Sequence, residues 1–125
     1  MARTKTTGLT DAELRLMEVI WDRGSASVGD VVDALPKRIP LAYSTVLTTL
    51  RILEEKGYLR HVKEGRAFIY HPAIGRDEAR DTAVGHLVRR FFGGSHGQLA
   101  LNLVDKKRIE AAELKRLRQK IKEAK

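Results

Sequence analysis

The 125-residue chain contains no cysteine, which excludes disulfides, zinc knuckles and thiolate metal sites. It also has no apolar run approaching the ~20 residues that a membrane-spanning helix requires. The N-terminal stretch 1–7 is not followed by an apolar segment, so it does not resemble a signal peptide. These absences leave the cytoplasm as the expected location, without stable membrane association.

Catalytic signatures are missing as well. The four histidines, His61, His71, His86 and His96, have neither catalytic nor metal-ligand spacing. The chain has no His-Glu-x-x-His motif, no phosphate-binding glycine loop and no Gly-x-Ser-x-Gly elbow. We therefore expect no enzymatic activity, no metal and no cofactor, and we expect His61 to be a half-buried packing residue of a strand.

Positive charge is what the chain has in excess, with a formal net charge of +8 and a pI of about 10.0. Such a balance favours a polyanionic partner. Residues 1–36 carry four basic and six acidic side chains, residues 37–72 carry seven and three, and residues 73–125 carry thirteen and seven. The excess of positive charge near the C-terminus is interpreted as the end of a helix, where basic side chains increase solubility and match the helix dipole. The alternative is that these residues make a second contact with DNA.

The stretch Ala42–Gly57 predicts a helix, because it has no internal glycine or proline and ends on a glycine suited to a helix C′ position. At ~100° per residue, its apolar face consists of Val46, Leu50 and Leu53. The opposite face is short and polar, and consists of Ser44, Thr48, Arg51 and, in the last turn, Glu55. Such a face is typical of a helix that enters a DNA major groove, and a solvated face rich in threonine by chance is the alternative.

Two short strand patterns follow this helix directly. Tyr58–Val62 and Ala67–Tyr70 are separated by Lys63-Glu64-Gly65-Arg66, a turn with glycine where a positive φ is expected. Pro72 closes the hairpin, because proline cannot extend a central strand. A helix followed by a basic-tipped hairpin is the layout of a winged helix-turn-helix, in which Lys63 and Arg66 would contact DNA phosphates.

Two shorter helices are predicted before this helix. Thr10 and Glu13 form a capping box that starts the first, and Ser27 caps the second. Trp21 continues the apolar stripe of the first helix, which favours a core position over a role in base stacking. Residues 8–72 are therefore predicted to form a winged-helix DNA-binding domain.

Beyond residues 72–76 the pattern is purely helical, and residues 76–125 are predicted to form a second domain. Its three helices, at 77–92, 99–104 and 110–122, carry apolar side chains at helical spacing. Ser95-His96-Gly97-Gln98 is predicted to form a capping box at the start of the second of them. The predicted fold class is mainly α with a small β hairpin: an N-terminal winged helix-turn-helix followed by a three-helix dimerisation unit.

Dimerisation is predicted because three short helices cannot easily bury so many large apolar side chains alone. A twofold partner presenting the same surface is the ordinary solution, and two copies would also match two DNA half-sites. The alternative is a monomer whose C-terminal helices fold back on the first domain. The predicted dimer contacts are Leu87, Val88, Phe91, Phe92, Leu99, Leu101, Leu103, Val104, Leu114 and Leu117.

The chain resembles the penicillinase-repressor and methicillin-resistance-repressor (BlaI/MecI) family of transcriptional regulators, which also includes copper-responsive repressors. The resemblance runs from about Leu9 to Ile121. Its motifs are Leu9-Thr10-Asp11-Ala12-Glu13 with Met17 and Trp21, Leu41-Ala42-Tyr43-Ser44-Thr45-Val46-Leu47-Thr48-Thr49-Leu50 leading to Leu53-Glu54-Glu55-Lys56-Gly57, Glu64-Gly65-Arg66-Ala67-Phe68-Ile69-Tyr70-His71-Pro72, Phe91-Phe92-Gly93-Gly94-Ser95 and Leu101-Asn102-Leu103-Val104. Copper sensing is disfavoured, because copper-responsive relatives carry a C-terminal cysteine cluster and this chain has no cysteine.

The resemblance implies a homodimeric repressor that binds a palindromic operator through the winged helix and dimerises through the C-terminal helices. The residues that it implies as DNA contacts on the helix are Tyr43, Ser44, Thr45, Thr48 and Arg51. The last helix of the family usually starts at a serine or threonine, and Glu110 at this position predicts a less sharply defined start.

Relief of repression is also implied by the resemblance. In the antibiotic branch of the family, a membrane sensor with a zinc protease domain triggers inactivation by a cut at an Asn-Phe bond in the middle dimerisation helix. The matching bond here is Asn102-Leu103, in which the second residue is apolar but not phenylalanine. The alternatives are a repressor relieved by a ligand without proteolysis, and a winged-helix module that binds another protein.

Overall fold

A computed structural model describes residues 8–124 of the chain. Within this range six helices and three short strands follow one another, which confirms the predicted class of a mainly helical protein with a small β element. In chain order the elements are α1 (Asp11–Arg23), β1 (Ala26–Ser27), α2 (Val28–Ala34), α3 (Tyr43–Glu55), β2 (Leu59–Glu64), β3 (Ala67–Pro72), α4 (Arg76–Phe91), α5 (His96–Asp105) and α6 (Ala111–Glu123).

Two compact units divide the chain between Ala83 and Val84. The N-terminal unit, described from residue 8, contains α1 to β3 and the beginning of α4. The C-terminal unit, described to residue 124, contains the remainder of α4 with α5 and α6.

The first two helices begin at the predicted caps. The Thr10 hydroxyl accepts a hydrogen bond from the Glu13 amide at 3.1 Å, and the Glu13 carboxylate accepts one from the Thr10 amide at 2.9 Å. Ser27 and Asp30 make the same reciprocal pair at the start of α2, with both distances at 3.1 Å. Each pair satisfies amide groups that have no partner inside the helix, so these starts are fixed by local sequence.

The core of the N-terminal unit is closed. Side chains of α1, α2, α3 and the sheet meet in one apolar cluster, and Met17, Val46, Leu50 and Leu53 are completely buried in it. Burial of a leucine side chain contributes about 1.5–3 kcal/mol. This cluster therefore orients α3 so that its opposite face is left outside.

The sheet is antiparallel with the order β1-β3-β2. Its two long strands form the predicted hairpin, and both extend two residues beyond the predicted ends. β1 was not predicted, because two residues carry no alternating pattern. It pairs Ala26 with Tyr70 and Ser27 with Ile69, which attaches the outer edge of the hairpin to the start of α2.

A buried ion pair joins α1 to the end of α3. The ammonium of Lys56 lies 2.7 Å from the carboxylate of Glu13, which is only 6% exposed. Burial acts to raise the pKa of this carboxyl. The hydrogen bonds from Lys56 and Thr10 outweigh that effect, so the pKa of Glu13 lies below its ordinary value of 4.5.

Trp21 lies against the core rather than on an open surface, as its place in the apolar stripe predicted. Its indole nitrogen donates a hydrogen bond to the Ile74 carbonyl at 2.9 Å. The Arg76 guanidinium lies 5.3 Å from the centre of the same ring and is paired with Glu18 and Asp22 of α1. The start of α4 is thereby held to α1 within the N-terminal unit.

The helix starts of the C-terminal unit differ from the prediction in detail. The Ser95 hydroxyl accepts from the Gln98 amide at 3.1 Å, but among the described residues no return bond from the Gln98 side chain completes a capping box. The Glu113 carboxylate accepts from the Glu110 amide at 3.0 Å. A glutamate in the first turn thus caps α6, although its first position lacks a serine or threonine.

Few side chains of the C-terminal unit are buried. Between residues 84 and 124 only Val88 is buried, at 1% exposure, while Phe91 is 66% and Leu101 is 56% exposed. No helix between residues 8 and 124 is both long enough and apolar enough to cross a lipid bilayer.

Candidate nucleic-acid interface

The polar face of α3 lies outside the core, as its periodicity predicted. Val46, Leu50 and Leu53 are buried, whereas the predicted DNA-contacting side chains of the helix are all exposed. These exposed residues are Tyr43, Ser44, Thr45, Thr48 and Arg51. A protruding helix with short hydroxyls fits the width of a B-DNA major groove.

The first turn of α3 has no side-chain cap. Ala42, the predicted first helical residue, occupies the N-cap position, so α3 begins one residue later, at Tyr43. The methyl group of Ala42 cannot accept a hydrogen bond. The first amide groups of the helix therefore keep unused donors at the positive end of its dipole. Such an end favours an anion, and a DNA phosphate is one of the groups it can hold.

The end of α3 sets the position of the hairpin. Gly57 has a φ of +91°, and the Tyr58 amide donates to the Leu53 carbonyl at 2.9 Å while the Gly57 amide donates to the Glu54 carbonyl at 3.0 Å. This is the glycine-terminated helix end that the sequence predicted. It turns the chain directly into β2.

The hairpin tip is basic and exposed. Gly65 has a φ of +61°, as expected for the turn, and Lys63 and Arg66 on either side of it are exposed. No ion pair within 4.0 Å involves Lys63, Arg66 or Arg51 in residues 8–124. Their charges are therefore free to meet phosphates.

A groove of about 330 Å³ lies between α3 and the hairpin. Its walls bring together three of the predicted site residues, Tyr43 and Arg51 from α3 and Arg66 from the hairpin. The remaining lining residues are Ser27, Val28, Gly29, Leu47, Ala67 and Phe68. Two guanidinium groups in one open groove, with no carboxylate in its lining, suit an anionic ligand.

One contact in this region was missed by sequence reasoning. Nδ1 of His61 donates a hydrogen bond to the Glu54 carboxylate, 2.8 Å from one oxygen and 2.9 Å from the other. The His61 ring centre lies 4.5 Å from that of Phe68. His61 is therefore an exposed residue that is hydrogen-bonded to α3, rather than the predicted half-buried packing residue. Its partner is seven residues away, on a different element, so no helix or strand period could reveal it.

Burial raises the pKa of the Tyr70 phenol, and the nearby Glu54 carboxylate adds to this effect while Arg51 opposes it. Tyr70 is 1% exposed and faces the core from β3. It stays protonated at neutral pH, so it adds no negative charge beside the groove.

Among residues 8–124, no group of three or more histidine, aspartate or glutamate side chains is arranged to hold a metal ion.

The family model described as penicillinase repressor matches residues 9–123. Over 121 residues the chain is 32% identical to the penicillinase repressor of Bacillus licheniformis, covering 97% of this chain and 94% of that one. It is 34% identical over 121 residues to the transcriptional regulator BlaI of Mycobacterium tuberculosis, covering 95% and 86%. The methicillin resistance regulatory protein MecI of Staphylococcus aureus is 23% identical over 114 residues, covering 91% and 93%.

Two solved structures resemble the N-terminal part of the fold. One is the solution structure of the DNA-binding domain of the repressor BlaI, with a TM-score of 0.52 and 38% identity, covering 60% of this chain and 93% of that one. The other is monomeric BlaI of Bacillus licheniformis in complex with the blaP half-operator, with a TM-score of 0.50, 38% identity and the same coverage.

Proposed function

Because this chain belongs to the penicillinase repressor family, whose members are transcriptional repressors, we propose that it represses transcription by binding operator DNA through residues 8–72. The observation that carries this proposal is the exposed polar face of α3 beside a groove lined by Arg51 and Arg66. Monomeric BlaI, which is 38% identical, is solved in complex with a half-operator, and this supports DNA binding by the present chain.

The roles of the site residues follow from their chemistry. Ser44, Thr45 and Thr48 can donate to and accept from base edges in the major groove. Arg51 can form two hydrogen bonds with the edge of a guanine. Tyr43 lies in the first turn of α3, close to the unused amide donors, and 58% of it is exposed. Lys63 and Arg66 at the hairpin tip contact phosphates, which position the protein without selecting a sequence.

Two copies of the chain form the repressor. The helices of residues 76–125 leave large apolar side chains exposed, and exposed apolar surface of this kind marks an interaction site. A twofold dimer buries the same surface on both copies and places two winged helices on a palindromic operator. The exposed contacts among the predicted set are Leu87, Phe91, Leu101, Val104 and Leu117. Val88 is excluded from this surface, because it is buried in the single chain.

Relief of repression follows from cleavage between Asn102 and Leu103 by a sensor metalloprotease. Asn102 is exposed and Leu103 is half-buried, and both lie inside α5. A protease binds its substrate as an extended chain, so α5 must unwind before it is cut. The cut would divide the dimer contacts and leave each winged helix to hold its half-site alone.

DNA binding is tested by titrating the protein with duplexes selected from a random pool and with duplexes of scrambled sequence. We expect tighter binding to a selected palindrome than to scrambled DNA, by the factor of about 10³–10⁷ typical of specific binding. Failure to bind either duplex at low salt would support a winged-helix module that binds another protein.

Proteolytic relief is tested in cells of the source strain exposed to a β-lactam. Mass spectrometry of the recovered protein should show an N-terminal fragment that ends at Asn102. Recovery of the intact chain, released from its operator, would instead support relief by a ligand.

A further inference from the structure

Glu54 and His61 are hydrogen-bonded to each other, and neither residue belongs to the proposed DNA-contacting set. Glu54 lies in the last turn of α3 and His61 lies on β2. We propose that this pair positions the hairpin tip against α3, so that Arg66 meets a DNA phosphate in the correct register. The proposal rests on the DNA-binding function proposed above.

The hairpin needs such a support because its outer strand is poorly covered. Beyond Leu59 every residue of β2 is exposed, and the strand order leaves β2 at the edge of the sheet. Within residues 8–124, no side chain of β2 other than His61 forms a hydrogen bond or ion pair with α3. The base of the hairpin is packed into the core through Leu59 and Tyr70, but residues 60–64 have no such burial to hold the tip against α3.

The contact continues from His61 into the groove wall. The His61 ring lies 4.5 Å from the Phe68 ring and 5.8 Å from the Tyr70 ring, and Phe68 lines the groove together with Arg66 and Arg51. Glu54, His61 and Phe68 therefore form a continuous path from the helix to the hairpin residue two positions from Arg66. We call these three residues the hairpin support.

The support acts by lowering the cost of ordering the hairpin on DNA. A hairpin already held in its bound position loses less conformational freedom when Arg66 meets the phosphate. Without the support, the same contact forms less often. Binding to DNA of any sequence then weakens, and fewer counterions are released.

The first test is hydrogen exchange of the free protein. His61→Ala and Glu54→Ala should each speed exchange of the amides around the hairpin tip, residues 62–68, and leave the core amides of α1 unchanged. His71→Ala is the matched control, because His71 lies on the neighbouring strand and its side chain forms no hydrogen bond among the described residues. Equal exchange at the tip in the wild type and in both variants would overturn the proposal.

The second test is binding to a duplex of random sequence over a range of salt. His61→Ala should weaken binding by about two- to fivefold, the range of an exposed polar contact, and make the salt dependence shallower, while His71→Ala should change neither. The effect of Arg66→Ala should be smaller in the His61→Ala background, because the phosphate contact of Arg66 already forms less often there. Glu54→Ala is not used here, since removing a negative charge near DNA raises affinity by itself.

Additive losses for His61→Ala and Arg66→Ala would mean that His61 meets DNA independently, and would overturn the proposal. Unchanged binding of His61→Ala would also overturn it. If the wild-type protein binds no DNA at low salt, the proposed function itself fails. The exchange measurement still reports separately on whether the pair holds the hairpin.

Discussion

The two units of this molecule contain the same kinds of apolar side chain but bury them to different extents. The N-terminal unit buries Met17, Val31 and Val46 in one closed cluster, and Leu50 and Leu53 of the same cluster are inaccessible to solvent. The C-terminal unit leaves Phe91 and Leu101 more than half exposed, and Val88 is its only buried side chain between residues 84 and 124. The first unit is thus complete as a single chain, and the second presents a surface that a second copy would complete.

The two units also differ in where their basic residues lie. The N-terminal unit places Arg51, Lys63 and Arg66 on one face, beside a groove without a carboxylate. The C-terminal unit is richer in basic residues for its length, with eleven in residues 84–125 against thirteen in residues 1–83. On α6, however, they alternate with apolar residues. Position rather than the amount of charge therefore distinguishes the proposed DNA-binding surface.

The largest expected effect comes from an added charge on the exposed side of α5. At ~100° per residue, Leu101 and Val104 lie on one side of this helix, while the half-buried Leu99 and Leu103 lie on another. Leu101→Asp should abolish dimerisation and lower operator affinity by about 10²–10⁴-fold, because avidity is lost. Operator titration and sedimentation report the two effects.

Asn102→Asp is the control for this variant, since it adds the same charge to the same helix on a side that carries no exposed apolar residue. Its dimer and its affinity should be those of the wild type. If Leu101→Asp still forms a dimer with full affinity, α5 does not form the interface.

The next effect contrasts the two units directly. Leu50→Ala should lower the free energy of unfolding by about 2–5 kcal/mol, because it leaves a cavity in a closed core. Leu117→Ala removes the same atoms from a side chain that is 43% exposed, and it should cost little in a monomeric background such as Leu101→Asp. Denaturant titration of both variants in that background measures the two losses in free energy of unfolding. Equal losses would contradict the proposed difference between a closed and an open unit.

Arg51→Ala should cost about 1–3 kcal/mol on the operator and relax the preference at one base pair. The reason is the loss of two hydrogen bonds to a single base edge. Affinity measurements on the operator and on random DNA check the prediction. An equal loss on both would assign Arg51 to a phosphate, together with Arg66 across the groove.

The Glu13–Lys56 pair gives the N-terminal unit a specific acid sensitivity. Because the pKa of Glu13 is lowered on folding, its contribution to stability is complete above the ordinary value of 4.5 and is lost as the pH falls through the folded pKa. Glu13→Gln should lower stability at neutral pH and make the unfolding free energy less dependent on pH below that value. Thermal unfolding over a pH series checks this, and an unchanged pH dependence would contradict it.

The smallest effect concerns the basic residues. Arg66→Ala should make the log–log salt dependence of DNA binding shallower by about 1, the value for one phosphate contact. Replacing Lys115, Arg118 and Lys122 of α6 together by glutamine should leave this slope unchanged. A drop of several units in the α6 variant would show that the C-terminal unit also contacts DNA.

Local signals in the sequence predicted much of this fold. The caps at Thr10 and Ser27, the glycine end of α3 at Gly57 and the turn at Gly65 all depend on neighbouring residues, and the structure confirms each of them. The strand β1 could not be predicted, because its pairing partner lies more than forty residues away on β3.

The candidate site was predictable only in part, for the same reason. Helix periodicity placed Ser44, Thr48 and Arg51 outside the core, and the structure confirms their exposure. That Arg51 and Arg66 line one groove depends on how the hairpin folds against α3. The contact between Glu54 and His61 depends on the same packing.

The central claim is that a second copy of the chain completes the C-terminal unit. Sedimentation equilibrium of the 125-residue chain at micromolar concentration tests this claim most directly. The account predicts a mass twice the 14.1 kDa of one chain. A mass of one chain throughout that concentration range would contradict it.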